Sequence, residues 1–554
     1  MNAPVEANSQ LRMWRLVAFL APIVLLLPFA GKPYQADDHV FIWVAEQVAQ
    51  HPLDFFGFEV DYGVEKVPIH MVNHNPPAVQ YWLALVGVAT NWNIVALHLA
   101  MSLFAGLAAL GLFELARDLG ARPARAAALG VLTPAFLVSA STLMTDIALL
   151  ACYVWAIVAW RRGFARGSQR WIAIAMVCAG LAPLVKFFGV TLVPLLFLDG
   201  ILRTPRPRAW WAWLVIPLAS FGAFQVYMYT MYGVTSLSAA ANVALAEKWR
   251  TGETSATRPL LTLVFLGGSL LPLAVPAAAR AGLRLAGVAV IFAVMLSAPF
   301  LGGYSLAQLF IGQSEPYTSD FLIHLAIFLF AGAVILAAAV RELFEVPRTD
   351  AILLAGWIGG TLVFTIFLNH YISVRTLLPM LPALAILLAP GLDRLGTRAI
   401  AFGGGAVLCA WLLVADYDVA AHDLRAAERA IARAKQDDVP LHYIAYWGFE
   451  YHLMKAGARP LAFAPKESMA EPTRPLMAAG DLLAVDAYAS APWIPPPGGF
   501  EIIEEVDEPY SAAATTFDAH AAAGFYSHRI GVLPYRLGPV RPERFLLVKW
   551  AGIP

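Results

Sequence analysis

The chain has 554 residues, of which 59% are hydrophobic and 14% are charged, and its mean hydropathy is +0.65. A soluble protein of this length could not bury so much apolar surface, so the composition excludes a soluble globular enzyme and indicates a polytopic membrane protein. The 38 basic and 38 acidic residues give a formal net charge of +0, which provides no electrostatic case for a nucleic-acid partner. The 3 cysteines all lie in apolar segments, so no disulfide framework is predicted.

Apolar windows of roughly 20 residues predict about thirteen membrane-spanning helices. The first covers about 16–30, and we expect it to stay uncleaved because no small-x-small cleavage site follows it. A short apolar and aromatic stretch at 76–90 is expected to lie at the membrane interface. The further spans are predicted near 94–116, 124–140, 143–160, 171–184, 187–201, 210–228, 258–277, 283–300, 321–340, 350–368, 376–391 and 399–415.

The arginines support this order of spans. With the N-terminus in the cytoplasm, the loops predicted inside are rich in arginine and the loops predicted outside are poorer in lysine and arginine. The inside arginines are Arg117, Arg122, Arg125, Arg161, Arg162, Arg166, Arg170, Arg203, Arg206, Arg208, Arg280, Arg284, Arg341, Arg348, Arg394 and Arg398. This orientation predicts that the first loop, residues 31–77, and everything after Asp416 lie on the outer face.

The chain changes character after residue 415. Residues 1–415 form the predicted transmembrane domain, and residues 416–554 form a predicted soluble α/β domain on the outer face. The second part contains a charged amphipathic stretch at 424–435 and short apolar runs that are typical of strands. These runs lie at 441–446, 482–485 and 545–550, and Pro495 to Gly499 marks a loop.

The first outer loop carries two adjacent carboxylates, Asp37 and Asp38, a few residues beyond the first span. Charged groups this close to hydrocarbon are costly unless they are paired, hydrated or used. We interpret one of them as a general base and the other as a residue that positions the base or a metal. The alternative is that one caps the amphipathic helix that begins at about His39.

Three more charged residues are predicted at the same membrane face. Asp146 stands at the start of a span, where it is either a second functional acid or a helix N-terminal acid that interacts with the helix dipole. Lys186 lies between two short spans, and Arg375 enters a later one. These cations either hold a lipid phosphate or act as interfacial anchors that extend to water.

Two other patterns are weaker. His70 and His74 are four residues apart, but two histidines without a third ligand, followed by a proline pair, do not predict a metal site. The glycines at 403–405 lie inside a predicted span without the spacing of a phosphate-binding loop. They are expected to let helices pack closely.

In their order and shared face, these features resemble the GT-C membrane glycosyltransferases, in particular the bacterial branch related to protein O-mannosyltransferases and lipid A aminoarabinose transferases. The resemblance covers about 14–415. It rests on the acidic pair after the first span, Pro76-Pro77 followed by Tyr81-Trp82, Thr145-Asp146, Lys186 between short spans, and Arg375 followed by Leu377-Leu378-Pro379.

The resemblance implies a GT-C-like fold and transfer of a sugar, a hexose or a pentose, from a polyprenyl-phosphate donor. The acceptor would be a glycolipid, a polysaccharide or a protein at the periplasmic face of a bacterial inner membrane. Asp37 matches the first-loop aspartate of the family and Asp146 its second acid. The aminoarabinose transferases have a lysine where this chain has Asn75, so Arg375 and Lys186 would supply the charge for the donor phosphate.

The resemblance also implies which side chains contact the substrates: His74, Asn75, Tyr81, His370 and Tyr371. One base and a leaving group that is already a good anion imply a single displacement with inversion. No cofactor is required by this chemistry, and a divalent metal, Mg²⁺ or Mn²⁺, stays open. The alternative function is a transporter or flippase of lipid-linked sugars, for which internal repeats and mid-membrane charges would be typical.

Overall fold

The computed structural model describes residues 3–62, 65–204, 206, 209–242, 257–281, 287, 319–462, 476–487 and 499–552. The span predicted at 283–300 lies outside these residues except for position 287, and so does all but the last residue of the loop predicted at 495–499.

Helices make up most of the first four-fifths of the described chain. They are α1 Ala3–Leu26, α2 Asp38–Gln50, α3 Ile69–Val72, α4 Ala78–Thr90, α5 Ile94–Asp118, α6 Pro123–Val131, α7 Pro134–Ala140, α8 Asp146–Arg166, α9 Gln169–Val185, α10 Leu192–Leu202, α11 Val215–Tyr232, α12 Thr257–Ser269, α13 Leu271–Ala281, α14 Ser319–Leu343, α15 Arg348–Val363, α16 Val374–Leu377, α17 Leu381–Leu388, α18 Leu395–Ala399, α19 Gly405–Asp437 and α20 Trp447–Lys455.

Among the described residues, 8 helices are long and apolar enough to cross a membrane, or up to 10 if each of two bent pairs is one span. The chain is thus a multi-pass membrane protein, but these residues do not reach the predicted count of about thirteen. The helices α9 and α10 are shorter apolar helices. Two predicted spans are broken, because α6 and α7 are bent by 63° and α12 and α13 by 98°. Prolines at 134 and 272 stand at these breaks, where a ring in place of an N–H interrupts a helix.

Helix α8 lies at the centre of the membrane domain. Of its most apolar window, 89% is buried inside the protein, as expected for a helix that is hydrophobic on all sides. It packs against α5 and α9. Its first residue, Asp146, and its last turn, with Arg166, therefore lie at opposite ends of the helical bundle.

The strands of the described chain have at most 9 residues, and most of them lie in the C-terminal part around one main sheet. Two short strands, β1 Glu59–Tyr62 and β2 Glu65–Pro68, form a hairpin in the first loop. The later strands are β3 Leu441–Ile444, β4 Arg459–Pro460, β5 Leu482–Asp486, β6 Phe500–Glu508, β7 Ala514–Thr515, β8 Phe517–Asp518, β9 Ala523–Gly524, β10 Arg536–Leu537 and β11 Glu543–Trp550.

The main sheet has the order β4-β3-β5-β11-β6. The strands β4, β3 and β5 are parallel, and β11 runs antiparallel to β5 and β6. The three predicted apolar runs are strands β3, β5 and β11. Strand β6 was not predicted, because its sequence is rich in acidic residues and lies at the solvated edge of the sheet. The predicted architecture, a helical membrane domain followed by a strand-containing domain, is confirmed.

The two parts are joined by one helix. The 33 residues of α19 include the part of the last predicted span from 405 to 415 and the amphipathic stretch at 424–435, so the predicted boundary at 415/416 falls inside a continuous helix. The second half of α19 and α20 cover the sheet, where Ala427, Phe449 and Leu547 share one hydrophobic cluster. The C-terminal domain is therefore attached to the bundle by continuous α-helical backbone.

Candidate functional site

The adjacent acids Asp37 and Asp38 have different environments. Asp38 is fully buried, and its two carboxylate oxygens accept hydrogen bonds from the backbone N–H of Leu143 at 2.8 Å and of Gln35 at 3.3 Å. Burial raises the pKa of Asp38 to about 6, although the nearby Lys32 opposes this shift. Asp38 thus joins the first loop to the turn that precedes α8.

Asp37 is the accessible acid of the pair. Its side chain is 42% exposed, and its Oδ2 lies 3.1 Å from Nη2 of Arg375. It occupies the position before the first residue of α2, but its side chain makes no capping hydrogen bond to that helix. Among the described residues, its ion pair is therefore directed toward the later part of the chain rather than toward its own helix.

Arg375 lies between two carboxylates. Its side chain is 5% exposed, and Nη1 is 3.7 Å from Oδ2 of Asp146. The other oxygen of Asp146 accepts a 2.7 Å hydrogen bond from Nζ of Lys186. Asp37, Arg375, Asp146 and Lys186 thus form a row of alternating charges, which we call the four-charge cluster. The structure brings together in this cluster four of the five charged residues that the sequence predicted at one membrane face, and Asp38 is the fifth.

Helix ends place these side chains at one level. Asp146 is the first residue of α8, and Lys186 directly follows the last residue of α9. Arg375 lies in the first turn of α16, which is held by a capping box between Ser373 and Thr376. Because each group is at a helix terminus, their charges meet where the apolar bundle ends.

A second buried ion pair lies beside the cluster and was not predicted. Nζ of Lys32 is 2.8 Å from Oδ2 of Asp416, and both side chains are at most 1% exposed. Asp416 also accepts hydrogen bonds from the hydroxyl groups of Thr516 at 2.7 Å and Tyr526 at 3.0 Å. The available sequence signal was the presence of single ionisable residues at the ends of predicted spans. No pattern in the sequence indicates that Lys32 pairs with Asp416, which lies 384 positions later in the chain.

His370 and Tyr371 lie next to the cluster. The Tyr371 hydroxyl is 3.5 Å from Nη2 of Arg375, and the two neighbouring rings have centroids 4.3 Å apart. Burial, together with the smaller effects of the positive charges of Arg529 and Lys186, lowers the pKa of His370 to about 3. His370 is therefore uncharged at neutral pH and lies within electrostatic reach of several cations.

The remaining predicted residues differ in position. Burial, with a smaller effect of His70, lowers the pKa of His74 to about 4, and His74 is near enough to His370 to affect its titration. The backbone N–H of Asn75 is bonded to the side chain of the nearby Asn73. The Tyr81 hydroxyl donates to the carbonyl of Pro52, and among the described contacts none connects Tyr81 to the four-charge cluster.

The arrangement is suited to handling an anion and a proton. A planar guanidinium and an ammonium can bind phosphate oxygens, while a half-exposed carboxylate can accept a proton from a hydroxyl group. In the part of the chain that the structure describes, no group of three or more His, Cys, Asp or Glu side chains is arranged to hold a metal ion.

Residues 74–229, a little over a quarter of the chain, match the family described as dolichyl-phosphate-mannose-protein mannosyltransferase. This segment contains His74, Asp146 and Lys186. No protein with a curated function matches the sequence at a significant level.

Solved structures of low sequence identity align with most of the chain. ArnT from Cupriavidus metallidurans bound to undecaprenyl phosphate is 14% identical over 87% of this chain and 93% of that one, with a TM-score of 0.41. The apo state of the same protein gives 13% identity, 98% of each chain and a TM-score of 0.42. The oligosaccharyltransferase of Archaeoglobus fulgidus in complex with Zn and sulfate gives 14% identity, 81% of this chain, 62% of that one and 0.43. With TM-scores below 0.5, these likenesses transfer no detail to this chain. The family match over residues 74–229 confirms the predicted resemblance to mannosyltransferase-related membrane glycosyltransferases.

Proposed function

We propose that this protein is a membrane glycosyltransferase that moves a sugar from a polyprenyl-phosphate donor to an acceptor. The observation that carries the proposal is the pairing of Asp37, 42% exposed, with the buried guanidinium of Arg375 at 3.1 Å. The match of residues 74–229 to a family whose description contains a dolichyl-phosphate sugar supports the donor class. The geometry supplies one solvent-accessible carboxylate and two cations, which are the groups that this transfer requires.

Arg375 and Lys186 would bind the donor phosphate. As the sugar leaves, negative charge grows on the phosphate oxygens, and fixed cations in a site with little water stabilise that charge strongly. The guanidinium of Arg375 has five N–H donors in a planar fork, so it can contact a phosphate while it keeps Asp146. Lys186, which is 13% exposed, lies on the other side of Asp146 and can reach the same ligand.

Asp37 would act as the general base. Its carboxylate is accessible, whereas both oxygens of Asp38 are used by backbone N–H groups. Asp146 is only 3% exposed and is bound by Lys186, so it is poorly placed to attack a sugar carbon. A single available carboxylate favours direct displacement with inversion over a double displacement. We therefore assign the base to Asp37, a structural function to Asp38, and a cation-positioning function to Asp146.

His74, His370 and Tyr371 would contact the sugar or the acceptor, because they surround the cationic side of the cluster. Uncharged imidazoles beside Lys186 and Arg375 can exchange hydrogen bonds with sugar hydroxyl groups without competing for the phosphate. Asn75 and Tyr81 stay candidates for more distant parts of the substrates. The reaction as written uses no metal ion or other cofactor.

The four-charge cluster would face the periplasm of a bacterial inner membrane. The arginines of the predicted cytoplasmic loops pair with acids near one another, as in Arg162 with Glu114 and Arg161 with Asp350. These pairs lie at the arginine-bearing end of α8, and the cluster lies at its other end. The positive-inside rule then assigns the cluster to the outer face. The acceptor there would be a glycolipid, a polysaccharide or a protein.

The test is turnover of the purified protein in detergent with a panel of polyprenyl-phosphate hexoses and pentoses, followed by release of the polyprenyl phosphate. We expect release with at least one donor in the presence of a periplasmic glycolipid or polysaccharide acceptor, and no release by Asp37→Asn. The matched control is Glu46→Gln, which removes another first-loop carboxylate in an exposed ion pair, with Lys455 at 2.7 Å.

Normal release by Asp37→Asn would remove Asp37 as the base. Binding of a donor without release by any acceptor, combined with movement of that donor across proteoliposome membranes, would replace the transferase by a transporter of lipid-linked sugars. Turnover that is lost in EDTA and restored by Mg²⁺ or Mn²⁺ would show that a metal takes part.

A further inference from the structure

One segment of the C-terminal domain lies directly against the backbone that carries Arg375. The N–H of Val374 donates to the carbonyl of Phe525 at 3.1 Å, and the N–H of His528 donates to the carbonyl of Ile372 at 2.8 Å. Nδ1 of His528 accepts the N–H of Ile372 at 2.9 Å. Residues 525–529, which we call the docking segment, therefore run beside residues 370–375 and are held there by two backbone–backbone hydrogen bonds and one bond to the His528 side chain. These bonds fix the path of the chain on both sides of the contact.

A side chain of the docking segment adds a further hydrogen bond, to the backbone of residue 370. An Nη2 of Arg529 donates to the carbonyl of His370 at 2.9 Å. The segment thus holds the backbone immediately before Arg375 at three consecutive alternate positions, 370, 372 and 374. Backbone contacts of this kind position a following side chain without using its own donors.

Tyr526, at the centre of the docking segment, covers the guanidinium itself. The Cζ atom of Arg375 lies 5.4 Å from the centroid of the Tyr526 ring, and Tyr526 is 2% exposed. The Tyr526 hydroxyl is fixed by hydrogen bonds of 3.0 Å to both oxygens of Asp416, which is the partner of Lys32. The ring therefore stands in a defined place that is set by the membrane helix α19.

Stacking and hydrogen bonding use different parts of a guanidinium. An aromatic ring contacts the face of the group, whereas carboxylates and phosphates bind its N–H donors at the edge. The Tyr526 ring therefore limits where the guanidinium of Arg375 can lie, while its N–H donors can meet Asp37, Asp146 and a ligand; Nη2 also lies 3.5 Å from the carbonyl of Tyr526. This combination limits the rotation of a long side chain that would otherwise lose conformational entropy on binding.

We propose that the docking segment is a positioning element for the reaction, with Tyr526 as the positioning residue that orients Arg375. The C-terminal domain thus completes the reaction centre of the membrane domain instead of only covering it. This inference rests on the proposed function, because it concerns how Arg375 meets a donor phosphate. A small displacement of such a group can reduce a rate about a hundredfold.

Two substitutions at Tyr526 separate its ring from its hydroxyl. Tyr526→Leu removes the ring over Arg375, and we expect kcat to fall about 30-fold with the KM for the donor changed less than about threefold, because the orientation of a bound donor is affected. Tyr526→Phe keeps the ring and loses the hydroxyl, and we expect it to keep at least about a third of the wild-type kcat. A kcat that stays high in Tyr526→Phe would attribute the effect to the ring over Arg375 and not to the hydrogen bonds between the hydroxyl and Asp416.

The matched control is Tyr443→Leu, the same change at an equally buried tyrosine in strand β3 of the same domain. Tyr443 belongs to the hydrophobic cluster under the main sheet. We expect this variant to lower the Tm while kcat per folded molecule stays at the wild-type value. A wild-type kcat for Tyr526→Leu, or an equal fall for Tyr443→Leu, would overturn the proposal.

Hydrogen exchange tests the docking without any turnover. In the wild type we expect slow exchange of the amides of Ile372 and Val374, since both donate to the docking segment. His528→Ala should speed their exchange at least about tenfold, whereas Tyr443→Leu should not. If the wild type turns over no donor, the proposed function fails. The hydrogen-exchange rates alone then show whether the docking segment holds residues 370–375. Unchanged exchange in His528→Ala would contradict this docking.

Discussion

The two ends of helix α8 both carry ion pairs, but the pairs differ in how completely the charges are used. At the arginine-bearing end, Nε of Arg162 lies 2.7 Å from Oδ2 of Asp118, and Nη1 of Arg161 lies 2.7 Å from Oδ1 of Asp350. At the other end, Asp146 is bound closely by Lys186, while its contact with Arg375 is 3.7 Å. Close ion pairs thus hold Arg161 and Arg162 at one end of α8, whereas the other end includes the longer contact between Arg375 and Asp146.

Glu114 is the clearest example of a buried carboxylate whose charge is fully used in ion pairs. It is 3% exposed and makes ion pairs with Arg15, Arg117 and Arg162, so that it connects α1, α5 and α8. Asp37, in the four-charge cluster, is 42% exposed and has one ion pair in the described structure. The comparison teaches that a buried ionic network by itself indicates helix packing, whereas an accessible charge beside a buried partner indicates a binding or catalytic site.

The largest expected effect comes from breaking the four-charge cluster at Arg375. Arg375→Gln should reduce kcat/KM for the donor about 10³-fold, or about 4 kcal/mol, because the donor phosphate loses its main cation. The measurement is steady-state release of polyprenyl phosphate. Arg125→Gln, which removes an arginine 2.7 Å from Asp393 at the other end, is the control and should keep full activity. Activity of Arg375→Gln above a tenth of wild type would contradict the assignment.

Breaking the ion pairs of Glu114 should affect the stability of the protein instead of its activity. Glu114→Gln removes a carboxylate that the buried Arg162 shares with the more exposed Arg15 and Arg117, and we expect the free energy of unfolding to fall by about 3 kcal/mol. The checks are thermal unfolding in detergent and turnover per folded molecule, which should stay unchanged. A loss of turnover beyond the loss of folded protein would mean that the two ends of α8 are coupled in function.

The first loop should make the folded protein sensitive to acid. Burial lowers the pKa of His39, which is fully buried in α2, to about 4, although Asp37 opposes this shift. A histidine whose pKa is lower in the folded state contributes stability that is complete above about pH 6.5 and is lost as the pH falls toward 4. Between pH 7 and 5 the loss should be about 2 kcal/mol.

Unfolding curves of the wild type and His39→Phe at these two pH values check this prediction. Phe keeps the edge contact with Trp43 and cannot take up a proton. Asp38, whose pKa burial raises to about 6, acts in the opposite direction, and its effect is common to both proteins. Equal pH slopes for the two proteins would exclude His39 as the source of the acid sensitivity.

The smallest effect is expected at Lys186. Lys186→Gln removes one of two phosphate-binding cations, and we expect the KM for the donor to rise about tenfold, which is about 1.4 kcal/mol, with a smaller change in kcat. Initial rates over a range of donor concentrations measure both constants. An unchanged KM would restrict Lys186 to its ion pair with Asp146 and would leave Arg375 alone, of the two cations, as a phosphate ligand.

The sequence by itself determined the class of protein and the level of its charged groups. Hydropathy depends on composition over windows of about 20 residues, so it identified most of the long spans and the change of character after residue 415. Strands β3, β5 and β11 were predicted because each is a short apolar run bounded by polar residues. Asp37, Asp146, Lys186 and Arg375 were predicted at one face because all four lie at the ends of such spans.

The tertiary structure alone decided which of these groups is accessible and what each contacts. Asp37 and Asp38 have identical side chains, but Asp37 precedes α2 and Asp38 is its first residue, so that one side chain faces the site and the other faces backbone N–H groups. Lys32 meets Asp416 across 384 positions, and Tyr526 reaches Arg375 across 151. Local residue patterns carry no information on such distant partners, because the packing of whole helices and of the C-terminal domain brings them together.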